Sequence, residues 1–342
     1  MLKLFRSWVP LCSLLVLPTV SCEGSHGDLA ATGGAGGEAT SSSSSSSSSA
    51  GGGGGTAGAP PVIEPDLPDK LTLIHGSPDR GELRFCFVDA ATRSGGELLP
   101  PQPLAFGHSF PIVEPASVLA VESDLEAVVV AGDLDLVVGA SCADLLLDPP
   151  AGVDVVSLGL LPANTFAQQR SLAFVVTGCF GAADAKDAEL GCGDGYSGTT
   201  PTLFPIIAPL SRLTEASAIG LAVLNASSSF EPVDVRIQPN MKSAPKFPLA
   251  SQVPRGGTLP FPPYTALNVA TLGAPNGVKL FANRLGQSLE VEVALGPALS
   301  AGGLSSLDNG ASYVLVAVGA APGAPAGFWE PFSFVVVEAD PT

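Results

Sequence analysis

"LIHGSPDRGELRFCF", residues 73 to 87, lies over "VLNASSSFEPVDVRI", residues 223 to 237, without a gap. Leu73 falls on Val223, Ile74 on Leu224, His75 on Asn225 and Ser77 on Ser227. After the turn, Leu83, Phe85 and Phe87 fall on Val233, Val235 and Ile237. A second match, "SLAFVVTG" (171 to 178) against "SYVLVAVG" (312 to 319), closes each unit in the same order and at nearly the same distance. Internal repetition of this kind is the signature of a duplicated unit. The spacing therefore predicts two copies of one domain.

The type of domain follows from the pattern within each copy. Val233, Val235 and Ile237 alternate with Asp234 and Arg236, as a half-buried strand requires. "SLEVEVA" (288 to 294) alternates in the same way, "PNG" (275 to 277) is a turn, and "PFSFVVVE" (331 to 338) is a closing strand. Glycine (40) and proline (32) are abundant and charged residues are only 14%, while no apolar stripe of helical period runs over three turns. The expectation is an all-β chain: two tandem immunoglobulin-like antiparallel β-sandwiches, residues 61–215 and 216–342. The first copy is longer in its middle, at residues 140 to 165.

The first sixty residues read differently. Lys3 and Arg6 precede an apolar run from Trp8 to Pro18 that is too short to span a bilayer, which is the pattern of a signal peptide over residues 1–21. The run ends in "TVSC", which resembles a bacterial lipobox with Cys22 as the lipid-attachment residue, although Thr19 stands where leucine is usual. The alternative is ordinary cleavage with Cys22 left as a plain cysteine. Residues 22–60 hold "SSSSSSSSS" and "GGGGG", a composition with no apolar surface to bury, so the segment reads as a flexible tether with a reach of about 35 Å. Two acyl chains would hold such a protein stably at a membrane.

Charge narrows the partners. Residues 61–342 carry 29 acidic and 13 basic side chains, with no lysine or arginine cluster, which excludes nucleic acid as a natural partner and disfavours anionic headgroups. Four cysteines remain beyond Cys22, and in an exported chain they predict two disulfides with three possible pairings. Cys179 and Cys192 bracket a short loop and pair most easily, leaving Cys86 with Cys142. Cys86 shares a face with Arg84, away from the core, so its bond should pin an overlying segment. Zinc is a poor rival, since there is no C-x-x-C and no second histidine at ligand spacing.

With these readings in place, the motifs resemble a known family. "LTLIHGSPDRGELRF" (71 to 85), "PLAFGHSFPIVEPASVLAV" (103 to 121) and "LDNGASYVLVAVG" (307 to 319) are similar to the opening, middle and ending of the bacterial domain of unknown function 4397. The similarity covers most of residues 70 to 178 and 217 to 320, and the second copy departs from it with "NASSSFE" in place of the Ser-Pro-Asp turn. The resemblance implies an exported protein, often tandem and often behind a lipobox, and implies no particular chemistry.

The turn His75, Ser77, Pro78, Asp79 holds enough polar groups for an active site, yet its counterpart with Asn225 and Ser227 lacks a group titrating near neutral pH. It therefore reads as a structural corner made twice. "GDGYSGT" (193 to 199) is not a nucleophile elbow, and His75 and His108 are the only histidines available as bases in the folded part. The pairs Asp133/Asp135 and Glu290/Glu292 read as solvated strand faces, not carboxylates opposed across a cleft. The acidic loops at 132–135, 184–189 and 191–195 do not fit a calcium loop. Phe328 and Trp329 are either exposed binding aromatics or cover for the last strand. The expectation is a non-catalytic lipoprotein of the outer membrane or cell surface, without cofactor or metal, that meets a protein or glycan partner. An extracytoplasmic hydrolase is the alternative.

Overall fold

The computed structural model describes residues 69–166, 171–181, 186–212, 215–241, 243–260, 264–284 and 288–340. The signal peptide, Cys22 and the tether lie outside the described residues. No helix among the described residues is long and apolar enough to cross a membrane.

The first copy contains β1 (Lys70–His75), β2 (Glu82–Asp89), β3 (Leu99–Ala105), β4 (Ser109–Val113), β5 (Leu125–Gly132), β6 (Val153–Leu161), β7 (Ser171–Thr177) and β8 (Phe204–Leu210), with helices α1 (Cys142–Leu147) and α2 (Ala188–Cys192). They form two sheets, β4-β1-β7-β8 and β3-β2-β5-β6. The second copy contains β9 (Ile219–Asn225), β10 (Val233–Gln238), β11 (Phe247–Val253), β12 (Thr258–Leu259), β13 (Thr265–Leu267), β14 (Lys279–Arg284), β15 (Glu290–Ala294), β16 (Ser312–Val318) and β17 (Ser333–Glu338), with α3 (Val269–Leu272) and α4 (Leu295–Ala301). Its sheets are β12-β9-β16-β17, with β13 also on β9, and β11-β10-β14-β15. Strand for strand, the two sheet orders are the same. The helices are short, which is why no helical stripe shows in the sequence.

Each copy is thus a two-sheet sandwich, as the alternation predicts, and one feature differs from an all-antiparallel scheme. In each copy the opening strand pairs parallel with the strand of the second match: β1 with β7, and β9 with β16. The chain reaches β7 from the opposite sheet, and so lays it beside β1 in the same direction. Asp133 and Asp135 differ too. They lie on a 3-10 turn beyond the end of β5, not on a strand, because Gly132 (φ +93°) ends the strand before them.

The cores show how the copies are joined. One apolar cluster fills the first sandwich (Leu73, Phe85, Phe174) and another fills the second (Val223, Val235, Leu315). A third cluster lies between the copies. Ile74, Val175 and Ile206 from the β4-β1-β7-β8 sheet meet Leu224, Val314, Val316 and Val335 from the β12-β9-β16-β17 sheet. The folded body is therefore four sheets deep, with the two inner sheets covered on both faces. This accounts for "LTLIH", "SLAFVVT", "IGLAVLN" and "SYVLVAV", where every residue is buried and alternation disappears. Each fully buried Val, Leu or Ile contributes about 1.5–3 kcal/mol, so the shared layer is a core and not a loose contact.

The two ends of this stack differ. At one end β1 begins and β17 finishes side by side: the Lys70 ammonium donates to the Asp340 carbonyl at 2.7 Å. The Ser171 hydroxyl donates to the Ala339 carbonyl, and the buried Arg212 guanidinium donates to Ser171 Oγ at 3.1 and 3.2 Å. Burial lowers the Lys70 pKa against the pull of Glu338 and Asp340, and burial likewise raises that of Glu338. At the other end sit both corners, tied by Thr177 Oγ1 donating to the Ala226 carbonyl at 2.7 Å and by Glu330 N donating to the Pro78 carbonyl at 2.7 Å.

Candidate functional site

The corners obey one construction. Ser77 Oγ donates to the Gly178 carbonyl at 2.8 Å, and Ser227 Oγ donates to the Gly319 carbonyl at 2.7 Å. Gly178 (φ +86°) and Gly319 (φ +94°) close the matched strands in a left-handed conformation, and a Cβ on either would lie 2.3–2.4 Å from a carbonyl oxygen of the facing chain. The glycine turns its carbonyl toward the serine, which explains why both sequence matches end on glycine. Asp79 accepts from the Ser77 hydroxyl at 2.8 Å and from Gly181 N at 2.9 Å. One carboxylate oxygen stays within the turn, on the Ser77 side chain, and the other reaches across to the neighbouring loop. Arg80 pairs with Asp154 at 2.8 Å and lies 5.0 Å from the Phe180 ring centroid.

His75 and Asn225 part company in their partners. The Asn225 amide donates to the carbonyls of Phe230 and Val253, both at 3.1 Å, and its oxygen accepts from Ser227 N. The His75 ring is fully buried, edge-on to Phe106, and neither ring nitrogen makes a hydrogen bond of good geometry. Burial pushes its pKa down to about 3, outweighing a weak contribution from the Arg80 backbone that favours the charged form. His108, by contrast, bonds backbone, its Nδ1 lying 3.0 Å from the Phe106 carbonyl. A neutral, enclosed imidazole holding no nucleophile has none of the contacts of a general base.

The cysteines are joined as Cys86–Cys142 and Cys179–Cys192. The first bond pins α1 over the outward face of the β3-β2-β5-β6 sheet, where Val137 and Leu145 of the overlying segment pack with Cys86 and Val128 of the sheet. The second draws α2 and its flanks against the second copy. Ser228 and Ser229 hydroxyls donate to the carbonyls of Gly191 and Leu190, and Ala321 N donates to the Leu190 carbonyl at 2.9 Å. Trp329 packs on the Cys179–Cys192 bridge, its Nε1 donating to the Lys186 carbonyl at 2.8 Å. Gly191 lies so close that an added Cβ would meet the indole at 2.3 Å. Trp329 is therefore cover, while Phe328 is exposed and faces the Lys186 ammonium at 5.4 Å. The serine run of the second corner serves this junction, a role that no pattern within one copy could reveal.

Replacing Cys179 and Cys192 together by serine is expected to cost about 3 kcal/mol, the loop-closure value for a bond of this span. The other tryptophan, Trp8, lies outside the described residues, so Trp329 is the single tryptophan among the described residues and reports the change directly. Its emission should shift to the red in the double variant. An unchanged spectrum would show that the bridge does not hold the junction.

The remaining candidates are dispersed. Glu290 pairs with Arg236 and Lys246, and Glu292 with Lys279 at 2.7 Å, all on the outward face of the second copy. Ser197 bonds within its own turn, to Thr199 and Thr200. Among the described residues no group of three or more His, Cys, Asp or Glu side chains is placed to hold a metal. A cleft of about 490 Å³ at the corner end is lined by Pro78, Asp79, Arg80, Phe328 and Glu330. A second, of about 500 Å³, runs between β3 and the segment before α1. Neither is lined by His75 or His108.

Fold and site together define an all-β protein of two sandwiches with one strand order, in which Ser77, Asp79, Ser227 and Asn225 each bond within their own sandwich. No protein family and no curated protein matches the sequence. Among solved structures, a candidate cell adhesion protein from Parabacteroides distasonis overlaps 81% of this chain and 98% of its own, at 11% identity and a TM-score of 0.17. That overlap is too slight to carry the fold or the role of that protein to this one.

Proposed function

We propose that the chain is a non-catalytic binding or structural module, lipid-anchored through Cys22 at the bacterial outer membrane or cell surface. The observation that carries this reading is the position of the chain's attachment. β1 begins at Lys70, at the end of the stack away from the corners, so a tether joined there would leave the corner end, its loops and its 490 Å³ cleft free for a partner. The chemistry of the corners supports the same reading: Ser77, Asp79, Ser227 and Asn225 have their hydrogen bonds taken up in joining strands. The occupant would be a protein or glycan of the surroundings.

Cys22→Ala should move the protein from the membrane fraction to the soluble one. Protease added to intact cells should cut within residues 41–55 and free the body as a single fragment. Unchanged membrane fractionation of the variant would refute the anchor. The non-catalytic part is tested by a panel of chromogenic esterase and glycosidase substrates. Turnover that is abolished by His75→Asn or His108→Ala would replace this reading with a hydrolase.

A further inference from the structure

The segment between β5 and β6, residues 133–152, has no equivalent in the second copy, where β14 and β15 are joined by residues 285–289 alone. The second copy forms the same strand order without it. Some of its apolar residues do the expected thing: Leu134, Val137 and Leu145 are buried on the sheet beneath, with Leu146 partly buried beside them. Others do the opposite, with Leu136, Val138 and Leu147 exposed at 52%, 77% and 85%. Single exposed apolar residues are ordinary, but three large ones on one short insertion mark a place where something else packs.

These side chains are held outward. The Cys86–Cys142 bond fixes α1 to the sheet, and Ser141 caps it by accepting from Asp144 N at 3.1 Å. The 500 Å³ groove runs beside this ridge, walled by Leu98, Leu99, Pro101 and Val138. Arg84 at its floor is spoken for, donating to the carbonyls of Leu98 and Pro100 at 3.0 Å each. The prolines of β3 remove N–H groups from this edge, which makes it a poor template for strand addition.

Charge indicates what would cover the ridge. Between Arg93 and Arg170 the sequence has no lysine or arginine and ten aspartates and glutamates. Of these, Asp133, Asp135, Asp144 and Asp148 lie on the insertion itself and are exposed, with Glu97 exposed on the opposite lip of the groove. An anionic membrane surface would be repelled by such a rim. A complementary surface has an apolar centre and a cationic border.

We propose that this flank of the first copy docks a protein segment with an apolar face bordered by lysine and arginine, such as a basic amphipathic helix. The inference rests on the reading of the chain as a binding module and names the surface and the partner's chemistry. It makes no use of the anchor or of the corner end.

The test uses the full chain and two synthetic helices, one with leucine and lysine faces and one with leucine and glutamate faces, followed by fluorescence anisotropy. The lysine helix should bind, and the glutamate helix should not. Leu136→Ser/Val138→Ser/Leu147→Ser should weaken binding at least tenfold. Asp133→Asn/Asp135→Asn/Asp148→Asn should weaken it and flatten its salt dependence between about 0.1 and about 1 M salt, where screening shortens from roughly 10 to 3 Å. Hydrogen exchange should slow at residues 134–147 on binding. No binding of the lysine helix, equal binding of both helices, or binding untouched by the serine variant would overturn the proposal. So would a wild-type dimer that the serine variant dissolves, since the occupant would then be a second copy of this chain. None of these results bears on turnover or membrane attachment, so the broader reading stands or falls separately.

Discussion

Val316→Asp is expected to lower the melting temperature by at least about 10 °C and to split a single unfolding transition into two. Val316 is fully buried in the layer between the copies, among Leu224, Val175 and Val335. A carboxylate there would have no cation beside it and no water, and such burial costs at least about 4 kcal/mol. For a body of this size that cost corresponds to the shift given. The split follows from position, since the substitution damages the shared layer and leaves the two sandwich interiors intact. Val138→Asp, on the exposed insertion, is the matched control and should change stability by no more than about 0.5 kcal/mol. Calorimetry of the three proteins decides the matter. A variant that melts like the wild type would mean that the copies do not depend on each other.

Acid should destabilise the protein through His75, and His75→Asn should remove that sensitivity. In the unfolded chain the imidazole protonates near its ordinary value of 6.5, whereas in the folded protein it does so only near about 3. Between those values the unfolded chain takes up a proton that the folded one refuses. Stability is therefore complete above 6.5 and drains away as the pH falls toward 3. From pH 7 to about pH 4 the loss from this one group is about 3 kcal/mol. Asparagine fits because the second copy already uses it: Asn225 reaches the Phe230 carbonyl, and the corresponding carbonyl beside His75 belongs to Arg80. Urea midpoints at both pH values, for wild type and variant, isolate the effect from that of the many carboxylates. Parallel declines would contradict the assignment.

What was readable in the sequence was whatever a strand records about its own two faces. Val233, Val235 and Ile237 announced a half-buried strand and are one. The Ser77 and Ser227 match, together with the glycines after β7 and β16, marked a corner whose hydrogen bonds are the same in both copies. The placing of Cys86 off the core also told what its bond would hold. The stacking of the copies was written less plainly. Unbroken apolar runs such as "SYVLVAV" mean burial on both faces, but they do not say which surface supplies the second cover. Trp329 as cover was one of two readings, but what it covers was not legible, nor were the roles of Ser228 and Ser229, because each depends on a segment far away in the chain that only the closed fold brings near. His75 was visible as a histidine and invisible as a buried neutral one, since burial at a strand end depends on Phe106 closing over it.

The place where the chain joins the body also sets how it would carry a load. Tension transmitted along the tether would pull on Lys70, the first residue of β1, which is bonded on both sides, antiparallel to β4 and parallel to β7. With a partner held at the opposite end, the pull would run along the strand, and the ladder bonds lie across it. Those bonds would then be sheared together and not unzipped in turn. Under such a load the Ser77 corner would close the far end of the β1 ladder.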